Sequence, residues 1–183
     1  NFVFNWGARA TAEGSAIIAK AIKEGRGALL EYEAKDLLRS HDAPVSKDRL
    51  AKNEEEAVEY FRSFKGAAVL KIVSPHILHK SDAGGVSVGL SCDNKVRRAF
   101  GNIMRNALKY NPNADIRGIL VSPMAAKGVE IIIGTKIDDQ FGPVIMYGLG
   151  GVMVEILKDV SFRVLPISRL PAKRMIRETQ SYP

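Results

Sequence analysis

Residues 67–90 read AAVLKIVSPHILHKSDAGGVSVGL, and the fold turns on how this stretch is read. Two runs of β-branched and aliphatic residues, Ala67 to Val73 and Val86 to Leu90, flank a polar segment rich in Ser, Pro and Gly. Runs bounded in this way form strands, so the segment is a loop joining two strand ends, the usual place for binding and chemistry. It carries His76, His79, Lys80, Asp82, Gly84 and Gly85, with Lys71 inside the first strand. A Gly-Gly pair can turn backbone amides toward an anion, and Lys71 and Lys80 supply the charge a phosphate requires. The Walker pattern, GxxxxGK followed by Ser or Thr, does not occur. The same residues also suit a plain hairpin with a basic connection and no ligand. His76 and His79 lack carboxylates or cysteines at metal-ligand spacing. His79, beside Lys80 and Asp82, is the better candidate nucleophile.

Working outward, the preceding residues read as helices. Thr11 caps a helix that Gly25 ends, and Glu31 to about His41 forms a second, with Tyr32, Leu37 and Leu38 on one side, stopping before Pro44. Val45 to Leu50 suits a short strand, and Asn53 with Glu56 opens a third helix. Beyond the central loop, Asp93 caps a helix from Asn94 to about Tyr110, whose Val96, Phe100, Ile103, Met104 and Leu108 recur at helical spacing. Strands are expected at Ile116–Val121, Val129–Ile137 and Pro143–Tyr147, close enough to form an antiparallel meander, with a further one at Ser161–Ile167. Gly148, Gly150 and Gly151 suggest a close approach of backbone to ligand, and Ser168 starts a last helix. This order predicts an α+β (mixed α/β) fold of two lobes with a ligand cleft between them. No internal repeat or low-complexity linker separates a second domain.

Composition narrows the partners. In 183 residues, 27 Lys and Arg against 20 Asp and Glu leave a net charge of +7, which favours anionic ligands: nucleotide, phosphorylated metabolite or nucleic acid. The basic residues are dispersed without interleaved aromatics, so nucleic acid is the weakest of these. The single cysteine, Cys92, excludes an internal disulfide and fits a reducing compartment. No apolar run is long enough to span a bilayer and no signal region is present, so a cytoplasmic location with no membrane partner is expected.

At KIVSPHILHKSDAGGV, and again at GVEIIIGTKIDDQFGPVIMYGLGGVMVEILKDVSFRVLP, the chain resembles the ATP-grasp subunit of the NDP-forming acyl-CoA synthetases, the ADP-forming acetate–CoA ligases. The resemblance covers residues 27–183, with residues 1–26 as an N-terminal helical extension. LEYEAKDLLRSHDAPV is similar, more distantly, to the opening helix of the succinyl-CoA synthetase β subunit. The resemblance implies an ATP-grasp fold and an enzyme that converts acyl-CoA, ADP and phosphate into acid, CoA and ATP through a phosphohistidine relay. Lys71 then falls on the phosphate-binding lysine, Gly84 and Gly85 on the phosphate loop, and His79 on the relay histidine. Val121, Ser122, Pro123 and Met124 fall on the hinge that holds adenine, and Glu130 follows on the neighbouring strand toward the ribose. The implied cofactors are ATP or ADP and Mg²⁺. The implied partner is a CoA-binding α subunit or domain that presents the acyl-CoA or carboxylic acid within a hetero-oligomer. The family's closing strand, with its metal ligands, is expected after Pro183, so the C-terminal part of the fold is missing and no metal ligand is assigned. A non-catalytic ATP-grasp regulatory or assembly module attached to an acyltransferase is the alternative.

Overall fold

A computed structural model describes residues 11–151 and 159–182. The chain divides into two compact units, Asn1–Ala125 and Ala126–Pro183.

The first unit contains helices α1 (Ala12–Lys23), α2 (Glu31–Arg39), α3 (Glu54–Ser63) and α4 (Asp93–Tyr110), with strands β1 (Arg49–Ala51), β2 (Ala68–Val73), β3 (Val86–Leu90) and β4 (Gly118–Pro123). Local chemistry sets most of the boundaries. The Gly14 N–H donates to Thr11 Oγ1 at 2.9 Å to open α1, and Gly25, at φ +69°, closes its end. Asn53 Oδ1 accepts from the Glu56 N–H at the start of α3, while the Glu56 carboxylate accepts from the Lys52 N–H instead of completing a reciprocal box. Asp93 is not the cap expected of it. Cys92 holds the N-cap position without a side-chain bond, and Asp93, one residue inside, pairs with Arg62.

The four strands form one antiparallel sheet in the order β1-β4-β2-β3. β2 and β3 are the hairpin expected from residues 67–90. β4, expected to lead a meander with the strands that follow it, is instead inserted between β1 and β2, with Leu120 opposite both Leu50 and Lys71. Strand alternation then sorts the two faces. Ala68, Leu70, Ile72, Ile119 and Val121 meet Val96, Phe100 and Ile103 of α4 and Ala57 and Val58 of α3. Full burial of each Leu or Ile in this layer contributes about 1.5–3 kcal/mol. The opposite face gathers Val73, Leu120 and Leu50 under Leu30 and Tyr32. Lys71 shares that second face.

In the second unit, β5 (Ile131–Asp138), β6 (Gly142–Leu149) and β7 (Val160–Val164) form the antiparallel meander, packed by α5 (Arg169–Arg177). Ser161 Oγ donates to the Met175 carbonyl at 2.8 Å, and the Asp159 carboxylate accepts from the Gln180 and Ser181 N–H groups at 2.8 Å each. Asp138 Oδ1 caps the β5–β6 turn by accepting from the Gln140 and Phe141 N–H groups. Glu155 lies outside the described residues. Among the described residues, no helix is long and apolar enough to cross a membrane.

Candidate functional site

The site in the first unit is built where α2 crosses the sheet. Residue Glu33 of α2 is buried; its carboxylate accepts from the Leu30 N–H at 2.9 Å and from Arg26 Nη1 and Nη2 at 2.7 and 2.9 Å. Burial by itself would raise the Glu33 pKa, but the Arg26 hydrogen bonds and the Leu30 amide hold it below the usual carboxylate value. This anchor fixes the first turn of α2, and so the place of Glu31.

Glu31 is the residue that reading the sequence missed. Its Oε1 accepts from Lys71 Nζ at 2.7 Å and from Lys35 Nζ at 3.2 Å, and its Oε2 pairs with Lys80 Nζ. Desolvation opposes the charged form here as well, yet the bonds from Lys71 and Lys80 prevail and lower the Glu31 pKa to about 2. Lys35 also pairs with Asp48, whose side chain is only 3% exposed. Three ammonium groups thus surround two carboxylates, leaving an excess positive charge on the α2 face of the sheet. The only sequence signal for this role was the Glu31–Lys35 spacing of four, which reads as an ordinary helix-surface pair.

His79 is exposed, in the loop between β2 and β3. On its N-terminal side Ile77 is buried in the core, and His76 Nδ1 accepts from the Asp115 N–H at 3.1 Å. On its C-terminal side Lys80 is tied to Glu31. The relay candidate is therefore held between an apolar anchor and an ion pair.

The expected amide cradle at Gly84 and Gly85 takes a different form. The Gly84 N–H donates to the Ser81 carbonyl at 3.0 Å and the Gly85 N–H to the Lys80 carbonyl at 2.7 Å, so both amides are bonded within the loop. The glycines serve its shape. Gly84 sits at φ +58°, and a Cβ on Gly85 would lie 2.4 Å from Ile72 Cγ2. The charged donors nearby are the ammonium groups of Lys80 in this loop and Lys71 in β2.

In the hinge candidate, Val121 points into the core, Ser122 is buried, Pro123 ends β4 opposite Ala68, and Met124 follows it, exposed. Pro123 has no N–H, and the Met124 N–H donates to the Ala67 carbonyl at 2.8 Å. Ser122 Oγ and Asp48 Oδ1 are buried without a hydrogen-bond partner among the described residues, an arrangement that leaves polar capacity at this edge.

In the second unit, Glu130 stands exposed one residue ahead of β5, outside the strand where it was expected. The Gly150 N–H donates to its carbonyl at 2.7 Å. The glycine cluster approaches protein backbone: a Cβ at Gly148 would meet the Asp159 carbonyl at 2.5 Å, and one at Gly150 the Ile131 carbonyl carbon at 2.9 Å. Among the described residues, no three His, Cys, Asp or Glu side chains group closely enough to hold a metal ion.

Two units of this make-up, one with a basic cluster on a four-stranded antiparallel sheet, match a known class. The ATP-grasp domain family matches residues 20–183, and the chain belongs to that family. Within it, the chain is 50% identical over 167 residues to the β subunit of acetate–CoA ligase (ADP-forming) I of Pyrococcus furiosus, covering 91% of this chain and 72% of that protein. Among solved structures it superposes, with a TM-score of 0.87 and 50% identity, on dinucleotide-forming acetyl-coenzyme A synthetase 1 of Candidatus Korarchaeum cryptofilum with coenzyme A and Ca-AMPCP, over 92% of this chain and 74% of that one. A second structure of that enzyme, with coenzyme A and Mg-AMPPCP, has its phosphohistidine segment pointing towards the nucleotide binding site; there the TM-score is 0.77 and identity 45%, over 92% of this chain and 72% of that one.

Proposed function

We propose that this chain is the nucleotide-binding subunit of an ADP-forming acyl-CoA ligase, which converts acyl-CoA, ADP and phosphate into acid, CoA and ATP by way of a phosphorylated histidine. The observation that carries the reading is that one carboxylate, Glu31, joins Lys71 of β2 to Lys80, the residue next to His79. The expected phosphate lysine is thus tied, through Glu31, to the residue next to the expected relay histidine. In phosphoryl transfer a protein mainly positions groups and offsets charge, and a cluster with surplus ammonium groups does both.

In the reverse direction, a ring nitrogen of His79 attacks the γ-phosphorus of ATP, the bond to the bridging oxygen breaks, and ADP leaves. His79, exposed on a loop, can then carry the phosphoryl group toward an acceptor. A CoA-binding α subunit or domain presents the acyl group and completes a hetero-oligomer, as the naming of the relatives as β subunits suggests. The adenine is assigned to residues 121–124 and the ribose side to Glu130. The Met124 amide is bonded to the Ala67 carbonyl, and the Ser122 hydroxyl is buried without a hydrogen-bond partner among the described residues. Mg²⁺ accompanies the nucleotide, and none of its ligands is assigned among the described residues. A single exposed cysteine, Cys92, accords with work in the cytoplasm.

Calorimetry with ADP and magnesium tests the reading. The folded protein should release heat at sub-millimolar nucleotide, and Lys71→Ala should weaken binding by about 1–3 kcal/mol, the cost of a lost charge-assisted contact. No heat at millimolar ADP would refute it.

A further inference from the structure

We infer that Lys80 is a second phosphate ligand beside Lys71, and that Glu31 is an internal anion that holds the two ammonium groups together until a phosphate takes its place. The inference rests on the nucleotide-binding reading above and adds to it a residue, Lys80, and an exchange.

The geometry argues for a shared seat. Lys71 and Lys80 are nine residues apart, on a strand and in the loop that follows it, yet they meet the two oxygens of one carboxylate. Their side chains are 30% and 24% exposed, so solvent reaches both while the Glu31 carboxylate is only 20% exposed. Each ammonium has three N–H donors, and Glu31 takes one from each. A carboxylate between two lysines is the arrangement a phosphate's non-bridging oxygens would adopt there. The amides of Gly84 and Gly85 do not take that part, because both are bonded within the loop.

The charge balance favours exchange over simple addition. Lys35 is anchored separately by Asp48, whose side chain is almost fully buried, and it stays in place when Glu31 moves. An arriving phosphate then faces a cluster with surplus positive charge, but also one carboxylate within a few ångströms that repels it. Displacing Glu31 removes that repulsion. It also unties Lys80 from α2, and the residue released is the immediate neighbour of His79. Occupation of the phosphate seat therefore loosens the C-terminal tether of the histidine loop, while Ile77 keeps the other side anchored in the core.

The two substitutions pull in opposite directions, which no general loss of structure would do. Lys80→Ala should weaken inorganic pyrophosphate and Mg-ADP roughly tenfold or more, on the scale of a lost charge-assisted hydrogen bond. Glu31→Gln retains the size and one acceptor oxygen but removes the charge, and it should tighten pyrophosphate by about three- to tenfold at low salt. Both are read by calorimetry on the full chain, with urea midpoints confirming the fold; if Lys80→Ala does not fold, Lys80→Gln is measured in its place. Wild-type affinity in the Lys80 variant, or weaker or unchanged pyrophosphate binding in Glu31→Gln, overturns the inference. Failure of the wild-type chain to bind Mg-ADP at all would instead strike the proposed function.

Discussion

Arg26→Ala removes the partner of the carboxylate that anchors α2. Arg26 and Glu33 are 8% and 6% exposed, and the guanidinium also donates to Glu24 and to the Ala28 carbonyl. Taking away one member of a buried pair costs about 3–5 kcal/mol, because the other is left charged and poorly solvated. Glu33 would keep the Leu30 N–H at 2.9 Å and Lys20 at 3.9 Å, which places the loss near the lower figure, about 3 kcal/mol. The assay is urea unfolding at pH 7, followed by far-ultraviolet circular dichroism; the midpoint should fall with an unchanged slope. The pH dependence has a definite sign. Glu33 has a depressed pKa in the folded chain, so its contribution is present above about pH 4.5, the usual glutamate value, and fades as acid protonates it. The deficit of the variant relative to wild type should therefore shrink below that pH. A Glu33→Leu partner change in an Arg26→Met background should recover most of the loss, less about 1 kcal/mol for the Leu30 amide left without its acceptor. A deficit under about 1 kcal/mol for Arg26→Ala would mean the pair is solvated, like a surface bridge, and would refute the anchoring argument.

Four further outcomes follow from the same geometry. Gly85→Ala should cost about 1–3 kcal/mol in urea unfolding, since its Cβ would lie 2.4 Å from the fully buried Ile72; Gly84→Ala should cost about 1–2 kcal/mol, from its φ of +58°, because the Asn106 amide it meets at 2.8 Å can swing away. Glu31, with its pKa lowered to about 2, stabilises the fold fully above its usual value of 4.5 and loses that contribution as pH falls toward 2. Discounted for its partial exposure this amounts to about 2 kcal/mol, so the stability of Glu31→Gln should vary less than wild type between pH 5 and pH 2. His76→Ala removes only an acceptor for the Asp115 N–H, and should leave turnover of the assembled enzyme near wild type while costing about 1 kcal/mol of stability.

What could be read in the sequence was local. The Thr11 and Asn53 caps, the Gly25 stop and the hairpin of residues 67–90 depend on neighbours in the chain, and each stands where the residues suggest. The misreadings were non-local. Nothing near Gly118–Pro123 announces that it slots between β1 and β2, because that placement depends on pairing Leu120 with Leu50 and Lys71, 70 and 49 residues away. In the sequence the amides of Gly84 and Gly85 read as free donors, since the turn that consumes them is invisible until Lys80 and Ser81 offer their carbonyls. Glu31 escaped for the same reason. Its partner at four residues is plain, but those at 40 and 49 residues exist only once α2 lies over the sheet.

The relay is tested most directly by asking where phosphate goes. The chain, assembled with a CoA-binding partner, would be incubated with γ-labelled ATP and magnesium, and the acid-labile, base-stable label located by mass spectrometry of its peptides. The account predicts label on the peptide containing His79, unchanged in a His76→Ala variant and absent from His79→Ala, whose affinity for ADP stays near wild type. Label that persists in His79→Ala, or full ATP formation by that variant, would contradict it.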